Sequence, residues 1–226
     1  MGILDFLYPK RCVGCKKTGN YLCASCLSLA KLHFPQVCPI CEKSAIDGST
    51  HPRCKKTTSP DGLFAIYSYE GNIRKLITKL KYQYISDIAK TLSTEAIKIL
   101  KKSPFLTKNK LTLVPVPLYW TRKNWRGFNQ AEEIGRIISR GMDWQAANLL
   151  IRKKSTKFQV GLTEKERQKN IKNAFIASPD IQMSRHPNIL LFDDVWTTGA
   201  TMLEAARVLK RAGADKVWCL TLARRA

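Results

Sequence analysis

Asp193 and Asp194 stand side by side at the end of an apolar run, and Thr197, Thr198, Gly199, Ala200 and Thr201 follow at once in the stretch ILLFDDVWTTGAT. Two ionised carboxylates repel a phosphate, but they accept hydrogen bonds from a diol or hold a magnesium ion. Hydroxyls and a glycine at the start of a helix do the opposite, because unpaired backbone N–H groups and the helix dipole receive an anion there. A lone Asp at such a place is an ordinary helix cap, which accounts for one of the acids but not for the pair with its threonines. Together they suit a hydroxyl-rich ring carrying a phosphate at one end, and a 5-phosphoribosyl group has that form. The P-loop pattern G-x-x-x-x-G-K-[ST] occurs nowhere in the chain.

A second chemistry lies near the amino terminus. Seven of the eight Cys fall in the first 54 residues, and six of them form C-x-x-C pairs. Cys12, Cys15, Cys23, Cys26, Cys38, Cys41, His51 and Cys54 make eight candidate ligands, enough for two tetrahedral zinc sites, and HPRC repeats the two-residue gap with an imidazole in place of a thiolate. Sequential pairing gives one all-thiolate site and one mixed site. Interleaved pairing, with the first and third Cys pairs sharing one metal, satisfies the same spacing. The expectation is one or two structural Zn2+ ions, with disulfides or a redox pair disfavoured in a reducing compartment. Cys219, inside VWCLTL, reads as a core residue.

These groups need elements to hold them. Residues 1–58 are rich in Cys, Lys, Pro and Gly and carry no periodic apolar run, so metal coordination, which supplies about 10–16 kcal/mol to a small module, must replace a core. KKTTSPDG reads as a linker of turn formers, which gives an expected zinc-binding domain over 1–58 and a second domain over 60–226. Beyond the linker, LFAIYSYE suits a strand, and Ile73, Leu76, Ile77 and Leu80 repeat at helical spacing. Ile85, Ile88, Leu92, Ala96 and Ile99 continue that spacing into a second helix. LTLVPVPL is a buried strand stopped by prolines, and Phe128, Ala131, Ile134 and Ile138 mark another helix. NILLFDD and KVWCLTLA are strands that flank a helix with Met202, Ala206 and Leu209 on one face and Glu204, Arg207 and Arg211 opposite. Such alternation predicts an α/β fold, a parallel sheet with helices on both faces, and in such sheets ligands sit at the carboxyl ends of strands, where the acid pair falls.

Thirty-nine Lys and Arg against 17 Asp and Glu give a net charge of +22, which attracts polyanions. YWTRKNWRGF packs four aromatics among Arg122, Lys123 and Arg126. Trp125 with these cations suits bases that stack and phosphates that follow, and the same arginines suit a loop that neutralises pyrophosphate. The runs IRKKSTK and EKERQKNIK read as solvated charge. No window approaches the roughly 18 consecutive apolar residues of a spanning helix, and MGILDFL has Phe6 where a myristoylation signal has Ser or Thr. A cytoplasmic protein without membrane insertion is expected.

ILLFDDVWTTGAT resembles the phosphoribosyl pyrophosphate (PRPP) signature of type I phosphoribosyltransferases. That resemblance implies that Asp193 and Asp194 hold the ribose hydroxyls, that Thr197, Thr198, Gly199, Ala200 and Thr201 hold the 5-phosphate, and that Val116, Pro117 and Leu118 lie in the loop that receives pyrophosphate, with Mg2+ accompanying PRPP. RGFNQAEEIG, QVGLTEKERQKNIKNAF and the Cys-rich segment are similar to the ComF family over nearly the whole chain. The resemblance implies a role in natural transformation, in the handling of imported single-stranded DNA, with a competence helicase or other DNA-processing proteins as partners. Alternatives are a working phosphoribosyltransferase with a nitrogenous acceptor and a PRPP-sensing regulator. No residue marks itself as a catalytic base.

Overall fold

The computed structural model describes residues 9–82, 86–155, 164–179 and 185–225. The myristoylation test at Phe6, the helical position Ile85 and all of QVGLT lie outside them. In chain order come the short helix α1 (Ala24–Leu27), two single turns of 3-10 helix (Ile46–Gly48 and Pro52–Cys54), β1 (Gly62–Ser68), α2 (Gly71–Tyr82) and α3 (Ser86–Leu100). There follow α4 (Pro104–Lys108), β2 (Thr112–Pro115), α5 (Trp120–Arg126), α6 (Gln130–Met142), β3 (Gln145–Ala146) and β4 (Leu150–Arg152). The chain closes with α7 (Glu164–Ile171), β5 (Phe175–Ala177), β6 (Asn188–Trp196), α8 (Ala200–Arg211) and β7 (Lys216–Arg224).

Five strands form one sheet in the order β1-β7-β6-β2-β3, and every neighbouring pair is parallel. Parallel pairing needs crossovers, which the helices supply on both faces. On one face α2 buries Ile73, Leu76, Ile77 and Leu80, and α3 buries Ile88, Leu92 and Ala96, against Leu190, Phe192 and Leu220 of the central strands. On the other, α8 buries Met202, Ala206 and Leu209 against Ile189, Leu191 and Cys219. The continuous apolar runs of β6 and β7 are what two covered faces require. Glu204 departs from its expected solvent face: it is buried, its carboxylate accepting the Asn173 N–H at 2.7 Å and the Arg207 guanidinium at 2.6 and 2.8 Å. A paired carboxylate tolerates burial that an unpaired one would not. The small hairpin of β4 and β5 stands apart from the sheet as an antiparallel pair.

The Cys-rich segment packs along β1. Gln36 closes the strand's open edge as a neighbouring backbone would, donating from Nε2 to the Ala65 carbonyl and accepting the Ala65 N–H, both at 2.9 Å. Cys12, Val13, Leu22 and Cys26 join the same apolar cluster as Ile73, Leu76 and Ile77, so the segment has access to a core it does not build itself. Asp61, at the end of KKTTSPDG, accepts the Val217 N–H at 2.9 Å and pairs with Lys210 at 2.7 Å, clamping the linker to β7. Among the described residues no helix is long and apolar enough to cross a membrane.

Candidate functional site

β6 carries the acid pair to the carboxyl edge of the sheet, where its backbone runs out beside β7 at Asp193 opposite Thr221. The turn that follows reverses the chain into α8 through Gly199 at φ 69°, a left-handed conformation that glycine adopts without strain. A Cβ at Gly199 would meet the Trp196 ring at 2.2 Å, so the tight turn and the buried indole require each other. Gly199 offers no side chain to cap α8, and Ala200, Thr201 and Met202 of its first turn face a cavity. A helix N-terminus capped by no side chain suits a bound anion.

That cavity measures about 430 Å³, within the range of small-ligand sites. Asp193, Asp194, Thr197, Thr198, Gly199, Ala200, Thr201, Val116, Leu118, Arg122 and Arg126 all line it. Pro117 does not, although its neighbours do. Lys123 turns away to Glu132 at 3.0 Å, and Trp125 is exposed. The β2 loop is held in place from two sides, since Val116 N–H donates to the Phe192 carbonyl at 2.8 Å and Asn129 Nδ2 donates to the Val116 carbonyl at 3.1 Å. Asn129 also caps α6 by accepting the Ala131 N–H, so one buried amide fixes both the loop and the helix behind it.

Three cavity-lining cations escape a reading of the sequence alone. Lys81, in the last turn of α2, places Nζ 3.0 Å from Asp194 Oδ1; burial disfavours its charge, but the two aspartates outweigh that and raise its pKa. Arg74, one and a half to two turns earlier, lines the cavity as well. Arg152 belongs to a run that reads as solvated charge, yet it is buried and lines the cavity. Its signal lay in the strand period: Leu150 and Arg152 are buried while Ile151 between them is exposed, so the alternation points Arg152 inward.

Five cations, Arg74, Lys81, Arg122, Arg126 and Arg152, thus face two carboxylates, and among the described residues no other acid lines the cavity. The cations strain one another. Burial and the neighbouring Arg122 charge lower Arg152 to about 10, and burial together with Arg126 lowers Arg122. The acids do the same: burial and the Asp194 charge push the Asp193 carboxyl up to about 7, against the pull of Lys81 and of the Asp194 N–H that it accepts at 2.8 Å. Arg126 Nε, Gln130 Nε2 and Trp196 Nε1 are buried without a protein acceptor among the described residues. Unpaired buried donors and crowded cations both favour an acceptor-rich anion in this space.

The Cys-rich segment forms two clusters with sequential pairing, Cys12 with Cys15, Cys23 and Cys26, and Cys38 with Cys41, His51 and Cys54. Within each, the donor atoms lie within 4.8 Å of one another. A tetrahedron with metal–sulfur bonds of ~2.3 Å has edges of about 3.8 Å, and Cys23 Sγ stands 3.7 Å from Cys12 Sγ and 3.6 Å from Cys15 Sγ. His51 Nε2 lies 3.0 Å from the Ser44 carbonyl, which takes its proton and leaves Nδ1, 3.2 Å from Cys41 Sγ, as the ligand nitrogen. Burial opposes ionisation of Cys12, but N–H groups of Cys23, Cys15 and Gly14 bring it down to about 6, while contact with Cys12 and burial push Cys26 up to about 12. Thiols this close cannot ionise together without a cation between them, so the donor set fits zinc.

No family model matches the chain. Among curated proteins, Competence protein F of Haemophilus influenzae is 31% identical over 223 residues, covering 95% of this chain and 96% of that protein. The DNA utilization protein YhgH of Escherichia coli is 34% identical over 211 residues, covering 88% and 89%. Competence protein ComFC of Bacillus subtilis is 27% identical over 219 residues, covering 92% and 86%.

Proposed function

The chain belongs to the ComF family, and from that premise we propose that it is a PRPP-binding, phosphoribosyltransferase-like protein that serves the handling of single-stranded DNA in the cytoplasm. The names of its relatives, which speak of competence and of DNA utilization, support the role. One observation carries the ligand: a pair of carboxylates, a threonine-rich turn at a helix start and a set of cations line a single cavity. In this reading Asp193 and Asp194 accept the ribose 2- and 3-hydroxyls, and the turn from Thr197 to Thr201 takes the 5-phosphate. Arg122, Arg126 and Arg152, with the β2 loop, face the pyrophosphate. Mg2+ arrives with the pyrophosphate and offsets its charge. Two structural zinc ions hold the Cys-rich segment, one in each cluster.

The diol grip separates this reading from a general anion site. Calorimetric titration with ribose 5-phosphate and 2-deoxyribose 5-phosphate tests it, because the deoxy sugar leaves one buried acceptor without a partner. We expect at least tenfold weaker binding of the deoxy sugar, and equal affinities would reject the assignment of the acid pair to the ribose.

The three arginines also favour a second reading, a working transferase, since they would stabilise pyrophosphate as it leaves C1. Steady pyrophosphate release with a nitrogenous acceptor would support it, and release absent across a broad panel, with PRPP binding intact, would leave the binding role alone.

A further inference from the structure

The outward side of α2 forms two rows. Arg74, Thr78 and Tyr82 recur every fourth residue, as do Lys75 and Lys79 beside them, which places successive members about 6 Å apart along the helix. The first row lines both the acid-pair cavity and a groove on the outer surface of α2. Lys75 and Lys79 line that groove and a further pocket, where they meet Arg11 and Lys16 of the first Cys knuckle. The three hollows therefore join into one track, and among the described residues no carboxylate lines the outer two.

Aromatic surfaces accompany the cations. Lys79 Nζ lies 5.0 Å from the Tyr21 ring, and the Arg126 guanidinium lies 6.0 Å from the Tyr82 ring, which links α2 to α5 over the cavity mouth. Beyond it, Trp120 and Trp125 of α5 are 61% and 66% exposed. Cations a helical turn apart neutralise phosphates in sequence, and exposed indoles receive bases only when those bases are unpaired. A duplex, whose bases are paired, would leave the indoles without a purpose.

We propose that single-stranded DNA runs along α2 from the first Cys knuckle to the indoles of α5, crossing the mouth of the acid-pair cavity, so that the strand and the cavity's ligand weaken each other's binding. The antagonism rests on the reading of the cavity as a PRPP site. Arg74, Thr78 and Tyr82 belong to both hollows, and two polyanions that draw on the same wall repel each other. Linkage makes the effect reciprocal.

Fluorescence anisotropy of a labelled dT20 oligonucleotide on the full, zinc-loaded chain tests both parts. In a salt series, the double variant Lys75→Gln with Lys79→Gln should flatten the log–log slope by about 1.4, from ~0.7 per phosphate contact, and saturating PRPP with Mg2+ should raise the wild-type Kd three- to tenfold. The single variant Lys75→Gln, at an exposed site, should flatten it by half as much and guards against a folding artefact. An unchanged slope in both variants, or equal binding of duplex DNA or of anionic vesicles, overturns the track. PRPP that binds by calorimetry yet leaves the DNA affinity unchanged or tightens it overturns the antagonism. Absence of PRPP uptake by the same sample condemns the reading of the cavity instead, while the slope test still decides the track.

Discussion

The Cys-rich segment and the acid-pair cleft both gather polar atoms that would otherwise repel each other, but they do so over different distances along the chain. In the segment, each cluster draws its donors from neighbours in sequence, Cys12 to Cys26 and Cys38 to Cys54, and a cation is what makes the gathering favourable. In the cleft, lining residues run from Tyr69 to Met202 and come from α2, the β2 loop, α5, α6, β4, β6 and α8, among other positions. Packed apolar clusters on both faces of the sheet hold them in place before any ligand arrives. A site held by its ligand is lost with that ligand, whereas a site held by a core is pre-organised and can lose its ligand unharmed.

The contrast in how the two sites are held does not make the regions energetically separate, and metal removal is the strongest test of their coupling. Because Cys12 and Cys26 share a cluster with Ile73, Leu76 and Ile77, chelation should lower the melting midpoint of the whole chain by about 10 °C or more, given the loss of several kcal/mol. A sheet that melts unchanged after complete zinc removal would show the regions to be independent. A finer version compares the two clusters. Cys12→Ala and Cys54→Ala should each reduce bound zinc by one ion per chain, but Cys12 is buried and Cys54 is not, so the first should cost about 1–3 kcal/mol more in a urea melt. Equal costs would place the first cluster outside the shared core.

The cleft has its own cost, which appears as a pH dependence. Asp193 titrates near pH 7 in the folded chain and near 3.9 when unfolded, so between those values the folded state holds the extra proton. Stability contributed by this group therefore falls as pH rises from about 4 to 7. Asp193→Asn should be more stable than the parent at pH 8, by about 1–3 kcal/mol, with the gain shrinking towards pH 4; a gain independent of pH would refute the titration. The smallest effect belongs to Lys123, whose pair with Glu132 is solvent-exposed. Lys123→Ala should change stability by less than about 1 kcal/mol, and a larger loss would mean that the α5 loop carries structural weight.

The same contrast explains what a reader of the sequence could see. The eight ligands, the acid pair and the threonine turn are local patterns, and the strand-helix alternation announced the parallel sheet. Zinc pairing stayed open because two pairings satisfy the same spacing, and the structure shows the sequential one. Lys81 lies more than a hundred residues from Asp194, and only the crossover from β1 through α2 brings them to 3.0 Å. Glu204 looked solvent-facing because its partner, the Asn173 N–H, comes from the end of another helix. Arg152 was half visible, since the period of its strand pointed inward while its charge argued otherwise.

The cleft's ligand is the claim on which the functional account turns. Calorimetric titration of PRPP with Mg2+ into the wild-type chain and into the double variant Asp193→Asn with Asp194→Asn, both with native melting curves, addresses it most directly. The account predicts one saturable site per chain in the wild type and at least a hundredfold weaker binding in the variant; equal affinities, or no uptake by the wild type, would contradict it.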